Sequence, residues 1–313
     1  MIAWANLEPN NPEPFLRFGL LFALFALSRG VAISRTALET LDHARRIQTD
    51  VRPTLALQLC EGKLEELQLP YFGSTLHLSK DLTNLSTFVM LERGDWYEPE
   101  LDLFRSLVRH GDRVLDVGAA VGVYAFGAAP FAGEQGRILA IEADSRNAAL
   151  LRKTAAQHAT VQIHELAVSD HEGIGRLRAG DTPEFSELVD GEAEGKPVQL
   201  KTIDQVLAAA GLETVDMLKL DIGNGALQAI AGAEKTLRSG APIVIYDARD
   251  GKKLRTDLIA KFKDFGYESY VFSPLRRILE RFTEKTDVDP FTQNLVALKP
   301  EALDRFQGVV AIA

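Results

Sequence analysis

The spacing of hydrophobic and polar residues divides the chain into three stretches. Near the start, Phe15-Leu-Arg-Phe-Gly-Leu-Leu-Phe-Ala-Leu-Phe-Ala-Leu27 is apolar on nearly every side. Only eleven residues separate Arg17 from Arg29, whereas a membrane-spanning helix needs about 20. Glu8 and Glu13 precede the run where a secretory signal would be basic, and no small-x-small cleavage site follows. Two placements stay open. The helix packs on the body of the protein or on a second copy, giving a homodimer through the N-terminal helices. Alternatively it lies in a membrane interface, with Phe15, Phe18, Phe22 and Phe25 on one face. From Ser34 the pattern is helical up to Pro53, which should end or kink that helix. Over residues 64–91 the period falls to two. Leu67, Leu69, Leu76 and Leu78 flank Pro70 and Gly73, which predicts a short β-hairpin.

From residue 101 onward, strand-like and helix-like segments alternate. Strands are expected at Arg113–Val117, Arg137–Ile141, Val161–Val168, Met217–Leu220, Ile243–Tyr246, Tyr267–Phe272 and Leu295–Leu298. Helices are expected at Tyr124–Phe131, Arg146–Gln157, Ile203–Ala210, Leu227–Leu237 and Leu254–Phe265. Such alternation predicts an α/β fold with a mostly parallel sheet covered on both faces. Ligands of such sheets bind at the carboxyl ends of the strands, where the strand order reverses. Residues 272–291 place Arg276, Arg277, Arg281 and Lys285 among Leu275, Ile278, Leu279 and Phe282. This reads as a short basic amphipathic helix, a solvated face over a packed stripe or a lid for an anionic or lipid-linked acceptor. The expected division is an N-terminal extension over 1–100, a cofactor-binding domain over 101–300 and a tail over 301–313.

Composition narrows the chemistry. The 313 residues carry 35 Lys and Arg against 44 Asp and Glu, a net charge of −9, which offers no global attraction to nucleic acid. The single cysteine, Cys60, excludes an intramolecular disulfide and a cysteine-based metal cage. It suits a reducing, cytoplasmic compartment, with membrane association if the first helix is interfacial. The six histidines are scattered without an H-x-x-x-H spacing, so no metal site is expected.

The first strand of the alternation ends in Val114-Leu-Asp-Val-Gly-Ala-Ala-Val-Gly122. A glycine turn between strand and helix lets a ligand approach the backbone. Gly118 and Gly122 are spaced G-x-x-x-G, which argues against a nicotinamide dehydrogenase with its G-x-G-x-x-G. Asp116, two residues before Gly118, would repel a pyrophosphate and suits a cationic ligand. Glu142, at the end of the second strand, is placed to accept hydrogen bonds from ribose hydroxyls.

Between Gly94 and Lys299 the chain resembles the FkbM-type S-adenosylmethionine-dependent methyltransferases. The likeness rests on Gly94-Asp-Trp-Tyr-Glu-Pro-Glu100, His110-Gly-Asp-Arg-Val-Leu-Asp-Val-Gly-Ala-Ala-Val-Gly122 and Ile141-Glu-Ala-Asp-Ser-Arg-Asn147. It continues through Ala167-Val-Ser-Asp-His-Glu-Gly173, Leu200-Lys-Thr-Ile-Asp204 and Val215-Asp-Met-Leu-Lys-Leu-Asp221. The resemblance implies a Rossmann-like class I methyltransferase fold, with a seven-stranded sheet whose last strand runs antiparallel. It implies S-adenosylmethionine held by Glu98, Asp116, Gly118, Ala119, Gly122, Glu142, Ala143, Ser169, Asp170 and Asp221. Asp221 and Lys219, with Asp247 after the fifth strand, are the catalytic candidates. The implied reaction is methylation, O-directed, of a sugar, glycolipid or secondary-metabolite hydroxyl. Trp96 and Tyr97 offer either an aromatic face to a cation or ordinary packing.

The chain departs from the family at Lys219-Leu-Asp-Ile-Gly-Asn-Gly-Ala226. Gly223 and Ala226 stand where members usually carry Glu, Asn224 replaces a Gly, and Ala120 stands where the family often has Asn. Two carboxylates are missing where an acceptor or base is expected. Either Asp221, His171, Asp247 or Asp250 supplies the base, or the chain is a weak or inactive relative that binds the cofactor as a partner or scaffold.

Overall fold

The computed structural model describes residues 51–313 apart from 190–193, 252, 287, 290 and 291. The expectations for residues 1–50, including the helix over 15–27 and its membrane or dimer contacts, lie outside the described residues. The described chain forms two compact units, one ending at Tyr97 and one comprising Phe72–Ser74 and Glu98–Ala313.

The first unit contains helix α1 (Arg52–Cys60), strands β1 (Leu67–Tyr71) and β2 (Ser74–Leu78), and helix α2 (Leu85–Arg93). Pro53 stands in the first turn of α1. Proline is tolerated there because the first helical N–H groups have no intrahelical partner to lose, and the helix expected before it lies outside the described residues. Strands β1 and β2 pair, as the period of two predicts, and bury Leu67, Leu69, Leu76 and Leu78. Asn84 caps α2 by accepting from the Thr87 N–H at 3.1 Å.

The second unit begins with helix α3 (Pro99–Leu107), strand β3 (Arg113–Val117), helix α4 (Val123–Ala132), strand β4 (Arg137–Glu142), helix α5 (Ser145–Ala155) and strand β5 (Val161–Glu165). Four strands then leave the main sheet: β6 (Ala167–Val168), β7 (Gly173–Arg178), β8 (Glu187–Val189) and β9 (Lys196–Lys201), in the order β6-β9-β7-β8. Val161–Val168 is thus two strands in two sheets. Helix α6 (Ile203–Ala209) and strand β10 (Met217–Leu220) follow. The helix expected over 227–237 is broken at Gly232–Ala233 into α7 (Ala226–Ala231) and α8 (Glu234–Ser239). Strand β11 (Ile243–Asp247), a small hairpin of β12 (Arg249–Asp250) and β13 (Lys253–Leu254), helix α9 (Thr256–Asp264) and strands β14 (Glu268–Ser273), β15 (Ile278–Arg281), β16 (Asn294–Leu298) and β17 (Ala311–Ile312) complete it.

The main sheet runs β17-β15-β14-β16-β11-β10-β3-β4-β5. Strand β16 is antiparallel to both neighbours, as the resemblance implies. The count is nine, not seven. One extra strand, β17, comes from the last residues. The other, β15, replaces the basic helix expected over 272–291. Pro274 has no N–H to donate, and Arg277 takes a positive φ of 51°. The chain therefore reverses, and Ser273 pairs with Ile278 in a hairpin. Leu279 faces inward at 0% exposure and Leu275 stands out at 98%.

Leu115, Val117, Leu218, Leu220, Val244 and Tyr246 point to one sheet face and join one large core. The alternation of strand side chains sends Asp116 and Lys219 to the opposite face, where they are register partners on β3 and β10. These strands flank the point where the order reverses, so ligand chemistry is expected at their carboxyl ends. The turn after β3 is pinned there: the Gly118 and Ala119 N–H groups both donate to the Ile141 carbonyl. Gly118 has a φ of 79°, and a Cβ on it would stand 1.9 Å from the Asp221 carbonyl oxygen. Gly118→Ala should destabilise the protein by about 3 kcal/mol, combining a left-handed backbone with overpacking. Gly111 has a φ of 86° but open space around it, so Gly111→Ala should cost about 1 kcal/mol. Denaturant unfolding of both variants checks the difference.

Candidate cofactor site

The centre of the site is an ammonium that folding has taken out of water. Lys219 is 1% exposed, and Lys is almost never fully buried unless paired. Its Nζ donates to Asn294 Oδ1 at 2.7 Å and Asp221 Oδ2 at 2.9 Å, and lies 3.6 Å from Glu98 Oε2. The Tyr124 ring lies below it, 4.9 Å from Nζ to the centroid. Burial acts to lower the Lys219 pKa, but the carboxylates of Asp221 and Glu98 overcome this and hold it above the ordinary value.

Each partner reaches this point from a different element. Glu98 stands at the N-cap of α3, yet its side chain makes no capping bond there. It turns inward and accepts from the Tyr124 hydroxyl at 2.7 Å. Tyr124 comes from the first turn of α4 and packs edge-on against Phe104, centroids 5.2 Å apart. Asn294 opens β16, and its amide also approaches Glu100 Oε2 at 3.5 Å. Burial lifts Glu100 to about 7. Sequence reasoning missed Glu100, Tyr124 and Asn294 as members of the site. Asn294 left a signal, as a polar residue opening an otherwise apolar strand.

Five carboxylates surround this one ammonium: Glu98, Glu100, Asp116, Asp221 and Asp247. Asp116 is 2% exposed and accepts from the Ala125 N–H at 3.0 Å, so it holds the first turn of α4 and is enclosed. Burial raises its pKa to about 7. Asp221 follows β10, and its side chain is 39% exposed, so it is open to solvent where Glu98, Glu100 and Asp116 are buried. Asp247 ends β11, beside Asp221 in the register, with Oδ1 held by the Arg249 N–H at 3.0 Å. Burial, then the nearby Asp221 charge, raises it to about 6.

Glu142 occupies the second strand end. It accepts from the Ala120 N–H at 2.9 Å and the Asp144 N–H at 2.7 Å, which ties the glycine turn to β4. Burial raises it to about 8 in spite of these donors. Ala143 packs against the small sheet's core of Ala167, Leu177, Val198 and Leu200. Asp144 caps α5 and accepts from Ser186 Oγ at 2.7 Å, drawing the 180–186 loop toward this strand end.

Other expected residues fall elsewhere. Ser169 is buried beyond β6, and Asp170 is half exposed with the ring of His171 2.6 Å away. That hydrogen bond holds Asp170 below the usual carboxylate range. His171 is engaged on this loop and is no member of the carboxylate cluster. Trp96 and Tyr97 belong to the first unit, with ring centroids 4.8 Å apart. Gly223–Gly225 form a 3-10 turn, and Arg255 donates to the Gly223 carbonyl at 3.4 Å. Among the described residues, no group of three or more His, Cys, Asp or Glu is arranged to hold a metal ion. No described helix is long and apolar enough to cross a membrane.

No curated protein matches the chain. Among solved structures, the chain is similar to a methyltransferase FkbM from Methylobacillus flagellatus KT at 14% identity and a TM-score of 0.42, covering 83% of this chain and 57% of that one. The chain thus spans a little over half the length of that relative. It is similar to Aeropyrum pernix fibrillarin in complex with natively bound S-adenosyl-L-methionine, at 16% identity and a TM-score of 0.39, covering 75% and 81%. It is also similar to a SAM-dependent O-methyltransferase from Thermotoga maritima, at 16% identity and a TM-score of 0.38, covering 68% and 69%. The sequence model described as the methyltransferase FkbM domain matches residues 116–269, from the buried Asp116 to the start of β14. Over these residues, just under half of the chain, the sequence is similar to the methyltransferase FkbM domain.

Proposed function

We propose that the chain is an S-adenosylmethionine-dependent O-methyltransferase acting on a hydroxyl of a sugar, glycolipid or secondary metabolite. The observation that carries the reading is the gathering of Glu98, Glu100, Asp116, Asp221 and Asp247 about the Lys219 ammonium at the switch point. Such an excess of acceptors suits a ligand that brings its own positive charge and hydroxyl donors. Glu142 would hold the ribose, as it is already the acceptor at the second strand end. Asp221, with Glu98 behind it, would hold the cationic end. The backbone of Gly118, Ala119 and Gly122 would line the approach, with Ala143, Ser169 and Asp170 on the adenine side. S-adenosylmethionine supplies a methyl group on a cationic sulfur that departs as a neutral thioether.

Asp247 is the residue best suited to take the acceptor's proton. Its Oδ1 is occupied by the Arg249 N–H, which leaves Oδ2 for a hydroxyl. With its pKa held up to about 6, it is ionised at neutral pH yet basic enough to accept a proton. This choice requires no carboxylate at Gly223 or Ala226.

Calorimetry with S-adenosylhomocysteine tests the site. Wild-type protein should bind, Asp221→Asn should weaken binding about tenfold or more through loss of a charge-assisted hydrogen bond, and Glu142→Ala should weaken it through loss of the ribose contact. Normal binding by both variants would remove the assignment. Asp247→Asn should bind normally but lose methyl transfer to a panel of glycans, lipids and small hydroxyl compounds. Binding by the wild type with transfer to none of them would favour the scaffold reading, to which the missing Glu residues point.

Stability should depend on pH through the same groups. Between about pH 4 and about pH 8 the folded chain keeps a proton on Glu142 that the unfolded chain has released. The stability that Glu142 contributes is therefore lost as pH rises through that window. Glu142→Gln has no such proton, so its unfolding temperature relative to wild type should rise between pH 5 and pH 8.5. A constant difference would contradict the raised value.

A further inference from the structure

Lys219 and Tyr124 lie at the heart of the charge cluster, yet neither can reach a ligand directly. Lys219 is 1% exposed, and its three N–H donors face Asn294, Asp221 and Glu98. Tyr124 is 3% exposed, and its hydroxyl is spent on Glu98. We propose that Lys219 and Tyr124 are positioning residues that hold the carboxylates of Glu98 and Asp221 in place for a cationic cofactor, without touching it. The inference rests on the cofactor reading given above and assigns how the site aims these two groups.

The surroundings of Glu98 leave those two groups as its main support. Glu100 approaches from its own helix, Asp116 from β3, Asp221 from β10 and Asp247 from β11, and all four are carboxylates. Glu100, Asp116 and Asp247 lie near enough to Glu98 for like charges to repel. Among the described residues, the Lys219 ammonium and the Tyr124 hydroxyl lie against it and favour it. Asp221 is in the same position, with Lys219 2.9 Å away and Asp116 and Asp247 as like charges nearby. Glu98 also forgoes capping α3 to reach this network, although an N-terminal carboxylate would be favoured there. The aromatic ring of Tyr124 adds a negative face beneath Nζ. Asn294 fixes the ammonium from the far side without adding charge, so Lys219 is held on a tripod of one amide and two carboxylates.

A positioning role makes a prediction about which part of a ligand is affected. Tyr124→Phe keeps the ring and its packing on Phe104 but removes the hydrogen bond that aims Glu98. Lys219→Met removes the charge at similar length and serves as the stronger, riskier variant. Both proteins and the wild type are titrated by calorimetry with S-adenosylhomocysteine, which carries an ammonium, and with 5′-methylthioadenosine, which lacks the amino-acid end. Tyr124→Phe should weaken S-adenosylhomocysteine binding about fivefold or more and leave 5′-methylthioadenosine binding within about twofold. Lys219→Met, if folded by circular dichroism, should lose more of the first and no more of the second. Unchanged affinity of Tyr124→Phe for S-adenosylhomocysteine, or an equal loss for both ligands, would overturn the proposal. Failure of the wild type to bind S-adenosylhomocysteine would instead overturn the cofactor reading on which it stands.

Discussion

The burial of one ammonium among carboxylates is the constraint from which the rest of the site follows. A lysine in the middle of a central strand is costly to bury unless it is paired and hydrogen-bonded. Here the pairing draws on α3, α4, β10 and β16 at once. Removing any one partner would leave a buried charge or a buried polar atom unmatched. The network therefore fixes where the start of α3 lies against the sheet and where Asp221 projects from β10. It also gathers several carboxyl groups at the switch point.

The turn after β3 depends on the same strand ends. Gly118 fits only because it has no side chain to meet the Asp221 carbonyl, and Glu142 holds the turn through the Ala120 N–H. Asp116 fastens the following helix from beneath. Two of these carboxylates are buried with raised pKa values. Their cost is a structural reason to regard them as functional, since perturbed carboxylates in a cleft cluster at active sites more than elsewhere.

Much of this was legible in the sequence, because parallel strands flanked by helices leave apolar runs with a fixed alternation. The alternation of strands and helices, the glycine turn and the acids at 116 and 142 follow from local pattern, while the antiparallel β16 and Asp221 are implied by the family resemblance. The misreadings share one cause, that tertiary pairing overrode local period. Arg276, Arg277 and Arg281 at near-helical spacing suggested a helix, but Pro274 and the left-handed Arg277 make a hairpin. Val161–Val168 read as one strand and is divided between two sheets. The charge network was invisible for another reason. Glu98, Tyr124, Lys219 and Asn294 are far apart in the chain, and only the sheet register and the packing of α3 and α4 bring them together.

The direct measurement is a crystal structure of the protein with S-adenosylhomocysteine bound. The account predicts that the ribose hydroxyls meet Glu142 and that the ligand ammonium lies within hydrogen-bond reach of Asp221 or Glu98. Lys219 should remain on Asn294, Asp221 and Glu98 beneath the ligand. A ligand bound away from these carboxylates, or one that displaces Lys219 from them, would contradict it.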